Sequence, residues 1–293
     1  MTAHDLGPTS HAYISQRLRL HFVDWGNKDA PPVLLVHGGR DHCRSWDWVA
    51  EDLRKDYHVL AVDLRGHGDS AWVTGSSYPL FDFVYDIEHL IRQERLAPVS
   101  IISHSMGGAI SLTYAGTYPE TVAKLVTIEG LIWTPAELEK FAAQPTHERI
   151  SKWVEQLHKL ATRHPRRYDS LAQAVERMQG ENPRLTPDQA RHLTTHGMAQ
   201  NEDGTFSWKF DNYIRARSPF AMSASDAHRL FERVTCPTLM IGGTESFVPD
   251  PIKSGALDSF PNVKSVMVRG AGHWVHHDNL SEFLGLVRPF LAQ

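Results

Sequence analysis

The chain has 293 residues, 41% of them apolar and 22% charged, with a formal net charge of −4. That length can bury a sizeable core, and one large α/β domain carrying an insertion is expected. The charge shows no basic excess for nucleic acid, Cys43 and Cys236 are too few for a disulfide framework, and no apolar run approaches a membrane span.

In chain order, residues 17–23 alternate polar and apolar side chains, which predicts a half-exposed antiparallel strand at the sheet edge. A turn containing Gly26, Asn27, Pro31 and Pro32 leads to the unbroken apolar run Val33, Leu34, Leu35, Val36, a parallel strand buried on both faces. That strand runs into His37-Gly38-Gly39-Arg40, and ligands of open α/β sheets collect beyond such carboxyl ends. An amphipathic helix over residues 46–54 follows, with Trp46, Val49, Ala50 and Leu53 on its apolar face, and then a strand over 58–63. The glycine-rich turn from Leu64 to Ser70 marks tight backbone, so His67 and Asp69 are read as turn residues, not reactants. A helix over 80–95, a strand over 98–102, a helix from Ala109 to Ala115 and a strand over 122–128 continue the alternation.

Composition changes after Gly130. From Trp133 to Glu232 helical patterns dominate, as in residues 150–157 and 171–178, with a break at 182–187 where Thr186 caps and Pro187 opens the next helix. Strands over 237–243 and 263–268 and a terminal helix over 280–291 then resume the core pattern. The expected division is a core of residues 1–132 and 233–293 with a helical cap of residues 133–232.

Ser103-His104-Ser105-Met106-Gly107-Gly108 joins an apolar strand to a helix through a tight turn, the context of a nucleophile elbow. Small residues must stand two positions either side of the nucleophile, and here they are Ser103 and Gly107, with serine in place of the usual first glycine. A serine hydroxyl needs a base, and the base needs an orienting acid. His273, flanked by glycine at the end of the last strand, is the expected base. Two glutamates at strand ends compete as the acid. Glu245, in the loop one strand away from His273, is preferred, with Glu129 as the alternative. The N–H of Met106, at a helix start, and that of Gly39 are the expected oxyanion donors. His37 is expected to be a structural hydrogen-bonding residue. The run His276, His277, Asp278 invites a metal reading but lacks converging ligands, so these are expected to be solvated helix-start residues.

Together the His37-Gly38-Gly39 loop, the turn from Asp63 to Ser70, the elbow, the acidic loop and Gly272-His273 resemble the α/β-hydrolase superfamily, specifically its single-domain serine hydrolases with a helical cap. The resemblance implies a mostly parallel central sheet flanked by helices, with the cap inserted between two core strands. It implies cleavage of a small-molecule carboxylic ester or lactone through an acyl-enzyme, with no cofactor and no metal. Epoxide hydrolases and haloalkane dehalogenases of the superfamily use aspartate where this chain has Ser105, which counts against them. A carbon–carbon bond hydrolase of diketone-type substrates would use the same residues, and a ligand-binding receptor on a hydrolase scaffold is the rival of another class. Arg40, His104, Trp133 and Trp153 are the expected substrate-binding residues, the two tryptophans as parts of an apolar cap over Ser105. The polar start of the chain lacks the charged and apolar regions of a signal peptide, so a cytoplasmic monomer or homodimer without nucleic-acid or membrane partners is expected.

Overall fold

The computed structural model describes residues 7–75, 78–131 and 134–293. Its ten strands are β1 (Thr9–Ser15), β2 (Leu18–Asp24), β3 (Pro32–Val36), β4 (His58–Asp63), β5 (Val99–His104), β6 (Val122–Ile128), β7 (Met198–Gln200), β8 (Phe206–Trp208), β9 (Thr238–Gly243) and β10 (Val263–Val268). Eight of them form one sheet in the order β1-β2-β4-β3-β5-β6-β9-β10. β1 and β2 are antiparallel to their neighbours, and from β4 to β10 every pairing is parallel.

The helices are α1 (Asp47–Leu53), α2 (Leu80–Gln93), α3 (Met106–Thr117), α4 (Pro135–Ala142), α5 (Thr146–Ala161), α6 (Leu171–Glu181), α7 (Pro187–Gly197), α8 (Ala224–Phe231), α9 (Val275–Asp278) and α10 (Leu280–Ala292). Successive strand residues point to opposite faces of the sheet. Leu34, Val36, Leu60 and Ile101 therefore pack with Ile87 and Leu90 of α2 and with Ile110 of α3 on one face. Val33, Leu35, Val59 and Ile102 pack on the other face with Trp46, with Val49 and Leu53 of α1, and with Phe283 and Val287 of α10. A run such as Val33 to Val36 is unbroken because both of its faces are core.

The predicted edge strand is instead the second strand. β1 covers its outer side, and its polar sequence hides the strand because only Tyr13 and Ser15 are buried. α2 stops at Gln93, two residues before Arg95 takes φ 57°. Between β6 and β9 the chain forms α4 to α8 together with the β7/β8 hairpin, so this segment is not purely helical. At the predicted break, Thr186 and Gln189 form a reciprocal capping box with Pro187 in the first turn of α7. Leu185, Ala190 and Leu193 of this segment pack against Trp48 and Trp274 of the core. Asp211 N–H donates to Gly66 carbonyl at 2.9 Å, which fastens the stretch after β8 to the glycine-rich turn. No helix of the described residues is long and apolar enough to cross a membrane.

Candidate active site

β5 delivers the chain to Ser105 and α3 carries it away. Ser105 sits at φ 51°, ψ −118°, a conformation that costs about 1–3 kcal/mol in a non-glycine residue and persists only where its surroundings impose it. They do so here through backbone. Ser105 N–H donates to Ile128 carbonyl at 2.8 Å, and Gly108 N–H donates to Ser105 carbonyl at 2.8 Å. A Cβ on Gly107 would stand 2.4 Å from the His37 carbonyl oxygen, and one on Gly108 would stand 2.4 Å from Gly130 Cα. Ser103 is tolerated two positions before Ser105 because its buried hydroxyl donates to Val126 carbonyl at 3.1 Å.

His273 lies on the loop after β10, with Nε2 3.0 Å from Ser105 Oγ. Its Nδ1 faces Glu129 Oε2 at 3.4 Å. Glu129 follows β6, next to the strand that carries the serine, and takes φ 55°. Its buried carboxylate accepts Gly243 N–H at 2.7 Å on Oε1 and the Ser246 hydroxyl at 2.5 Å on Oε2. The preferred acid, Glu245, is not against His273. Its side chain is exposed and ion-paired with Arg184, which also donates to Gly270 carbonyl at 2.8 Å, so the carboxylate is drawn outward. Of the two glutamates, the alternative is the one brought to the imidazole.

Other expectations sort by burial. His37 is structural: its Nδ1–H donates to Gly38 carbonyl at 2.6 Å, its Nε2 accepts Leu64 N–H at 3.0 Å, and burial pushes its pKa down to about 3. His67 donates to Arg65 carbonyl within its turn, and Asp69 pairs with Lys209. His276 and His277 are not solvated but buried. His276 stacks on Trp46 at 4.5 Å, His277 stands edge-on to Trp48, and burial holds both imidazoles below their ordinary pKa. Asp278 accepts Gly272 N–H at 2.6 Å and so anchors the loop that carries His273.

Gly39 lies beside Met106, since a Cβ there would be 3.8 Å from Met106 Sδ. Met106 is the first residue of α3, where an N–H has no carbonyl partner within its own helix. His104, expected to meet substrate, is buried beneath the site. Burial holds it well below its ordinary pKa, so the ring is neutral and its Nε2–H donates to His273 carbonyl at 2.9 Å. Arg40 is exposed at φ 63° and lines a narrow cleft with Met178, Trp208, Lys209, Phe210 and Trp274. Trp153 is half-buried on α5, which packs on the turn from Asn212 to Arg215, and makes no ring or polar contact with Ser105 or His273 among the described residues. Trp133 lies outside the described residues.

Two residues at the site, Ser246 and Phe247, were not singled out from sequence, and Asp278 was read there only as a solvated helix-start residue. Ser246 holds the Glu129 carboxylate, Asp278 holds the histidine loop, and the exposed ring of Phe247 stands 4.6 Å from that of His273. A serine and a phenylalanine after a glycine pair carry no signal alone, because their partners come from β6 and the last loop.

A family model described as the alpha/beta hydrolase fold matches residues 31–280. An esterase of Mycobacterium tuberculosis is 26% identical over 295 residues, covering 97% of this chain and 90% of that protein. A serine hydrolase-like protein of Danio rerio is 24% identical over 274 residues, covering 91% of this chain and 83% of its own. Among solved structures, the thioesterase domain from the curacin biosynthetic pathway superposes with a TM-score of 0.82 at 23% identity, covering 97% of this chain and all of that domain, a likeness of fold.

Proposed function

The chain belongs to the alpha/beta hydrolase fold family, and on that premise we propose that it cleaves a small-molecule carboxylic ester or lactone, with Ser105 as nucleophile, His273 as base and Glu129 as the orienting acid. The observation that carries the proposal is the 3.0 Å approach of His273 Nε2 to Ser105 Oγ at a strained strand-to-helix turn. With Nδ1–H directed at Glu129, Nε2 is free to accept the serine proton as Oγ attacks the substrate carbonyl. The negative charge that develops on the carbonyl oxygen is placed against the N–H groups of Met106 and Gly39, the first at the positive end of α3. Collapse of the adduct breaks the bond to the leaving alcohol, which takes the proton from His273 Nε2 and leaves an acyl-Ser105 ester. Water then attacks that ester with His273 again as base, which returns the free serine and the acid product. A lactone follows the same steps, its leaving alcohol remaining tethered to the acyl group.

The cleft between Arg40 and the β7/β8 hairpin combines apolar walls with Arg40 and the Asp69-paired Lys209, which suits a small substrate with a polar end. The test is a fluorophosphonate reaction followed by mass spectrometry, together with turnover of esters, lactones and diketones by the wild type and Ser105→Ala. Labelling at Ser105 and ester or lactone hydrolysis that vanishes in the variant are expected. Diketone cleavage without ester hydrolysis would move the substrate class, and an unlabelled Ser105 would remove the nucleophile assignment.

A further inference from the structure

α7 presents His192 and His196 one turn apart, so their rings share one side of the helix. That side faces the start of α1, where Asp47 is buried, and one ligand atom from each of the three residues lies within 4.8 Å of the others. The two histidine rings are 4.6 Å apart, and His192 Nε2 lies 3.1 Å from Asp47 Oδ2. α7 is held in this position by independent contacts. His42 donates to Leu193 carbonyl at 2.9 Å, and the Gln189 amide donates to His277 carbonyl at 3.0 Å. The junction between the inserted segment and the core is thus prearranged around two imidazoles and a carboxylate.

We propose that Asp47, His192 and His196 form a binding site for a divalent transition metal, zinc in particular, that fastens α7 to α1. Imidazole nitrogen suits zinc, copper or nickel, whereas magnesium and calcium require oxygen ligands, so the donor set selects the metal class. Zinc bonds of about 2.0–2.2 Å bring tetrahedral ligand atoms to roughly 3.3 Å apart, so the three groups must draw together on binding, and His192 Nε2, which also lies 3.1 Å from the Arg44 carbonyl, exchanges that contact for the metal. Three protein ligands leave the fourth position to solvent. Arg44 already spans the Asp47 carboxylate, with contacts of 2.9 Å to both oxygens and 2.6 Å to Oδ2. A carboxylate has about four acceptor positions and can hold the guanidinium and one metal bond together, but the neighbouring positive charge weakens the metal.

A second cluster, His21, Cys43 and Asp63, differs in this respect. Asp63 there accepts Cys43 N–H at 2.7 Å and Asp69 N–H at 2.9 Å and meets the His21 ring at 2.7 Å, so its carboxylate is built into the backbone of the glycine-rich turn.

The experiment is titration calorimetry of the full, tag-free chain with Zn²⁺, with Mg²⁺ as control. One Zn²⁺ per chain and no Mg²⁺ uptake are expected. His192→Ala and His196→Ala should each weaken Zn²⁺ binding by roughly tenfold or more, as loss of a ligand requires at least the effect of losing its supporting shell. Arg44→Met should tighten it several-fold, a result that a purely structural ion pair would not produce. Anomalous diffraction from wild-type crystals grown with Zn²⁺ locates the ion whether or not a variant folds. Absence of Zn²⁺ binding, binding unchanged in the folded His192→Ala/His196→Ala double variant, or an anomalous peak away from these three residues overturns the proposal. None of these readouts depends on hydrolysis at Ser105.

Discussion

The Ser246 hydroxyl donates at 2.5 Å to Oε2 of Glu129, the same oxygen that faces His273 Nδ1 at 3.4 Å. With Gly243 N–H on the other oxygen, the carboxylate is fixed from the β9 side before the imidazole meets it. The loop that bears Glu245 therefore contributes to the site through the next residue along, while Glu245 itself turns out to Arg184.

Glu129→Gln is expected to lower kcat by about three to four orders of magnitude, the scale on which loss of the orienting carboxylate acts in the serine-protease triad. Glu245→Gln should stay within a few-fold of the wild type, because its partner is an exposed arginine. Steady-state rates of both variants decide between them, and the opposite ranking would return the acid to Glu245.

Ser246→Ala removes one of the two donors that hold the Glu129 carboxylate besides His273 and frees Oε2 to rotate away from His273. A fall in kcat of roughly tenfold at nearly constant KM is expected, equal to about 1.4 kcal/mol of misorientation. A change confined to KM would place Ser246 in substrate contact instead.

Backbone strain at Ser105 predicts a trade between stability and activity. Ser105→Gly should raise unfolding free energy by about 1 kcal/mol in urea while abolishing turnover, because glycine adopts φ 51° without penalty. Gly108→Ala should cost about 3 kcal/mol or yield no folded protein, since its Cβ would meet the Gly130 backbone at 2.4 Å. Equal stability of Ser105→Gly and wild type would show the turn to be unstrained.

Buried neutral histidines set a pH dependence. Burial pushes His37 and His277 down to about 3 and His67 down to about 4. An unfolded histidine takes up its proton near pH 6.5, so below that pH the unfolded state binds more protons than the folded one. Stability is then complete above about pH 6.5 and falls as pH drops toward 4, by up to about 1.4 kcal/mol per pH unit for each such residue. Urea midpoints between pH 7 and 4.5 measure this slope, which His277→Asn should reduce. A flat profile would mean that these rings protonate within the fold.

Substrate preference should follow the cleft and not α5. Trp208→Ala is expected to change the ranking of acyl chains, as its ring lines the cleft with Arg40, whereas Trp153→Ala should keep the wild-type ranking. Competition assays among esters of graded chain length test the pair. A shifted ranking in Trp153→Ala alone would bring α5 over the serine.

The elbow was legible in the sequence because the turn's demands are local. A serine forced to positive φ between strand and helix requires small neighbours, and Ser103, Gly107 and Gly108 meet that demand within six residues of chain. The apolar runs of β3, β5, β6 and β9 were legible for a similar reason, since strands covered on both faces carry no polar side and stand out one by one. The place of His273 on a loop after the last strand was readable from the glycines beside it. What lies between elements was not. Glu129 and Glu245 stand at neighbouring strand ends, and spacing alone cannot rank two carboxylates that differ in which way their loop turns. Only the folded chain shows which of them faces His273, through φ 55° at Glu129, the Ser246 hydroxyl and the pull of Arg184 on Glu245. His276 and His277 followed the same rule: polar by sequence, they are buried because Trp46 and Trp48 arrive from more than two hundred residues earlier. Local backbone constraint is written in adjacent residues, whereas burial and the choice of a charge's partner depend on surfaces that meet only after the sheet has closed its two cores.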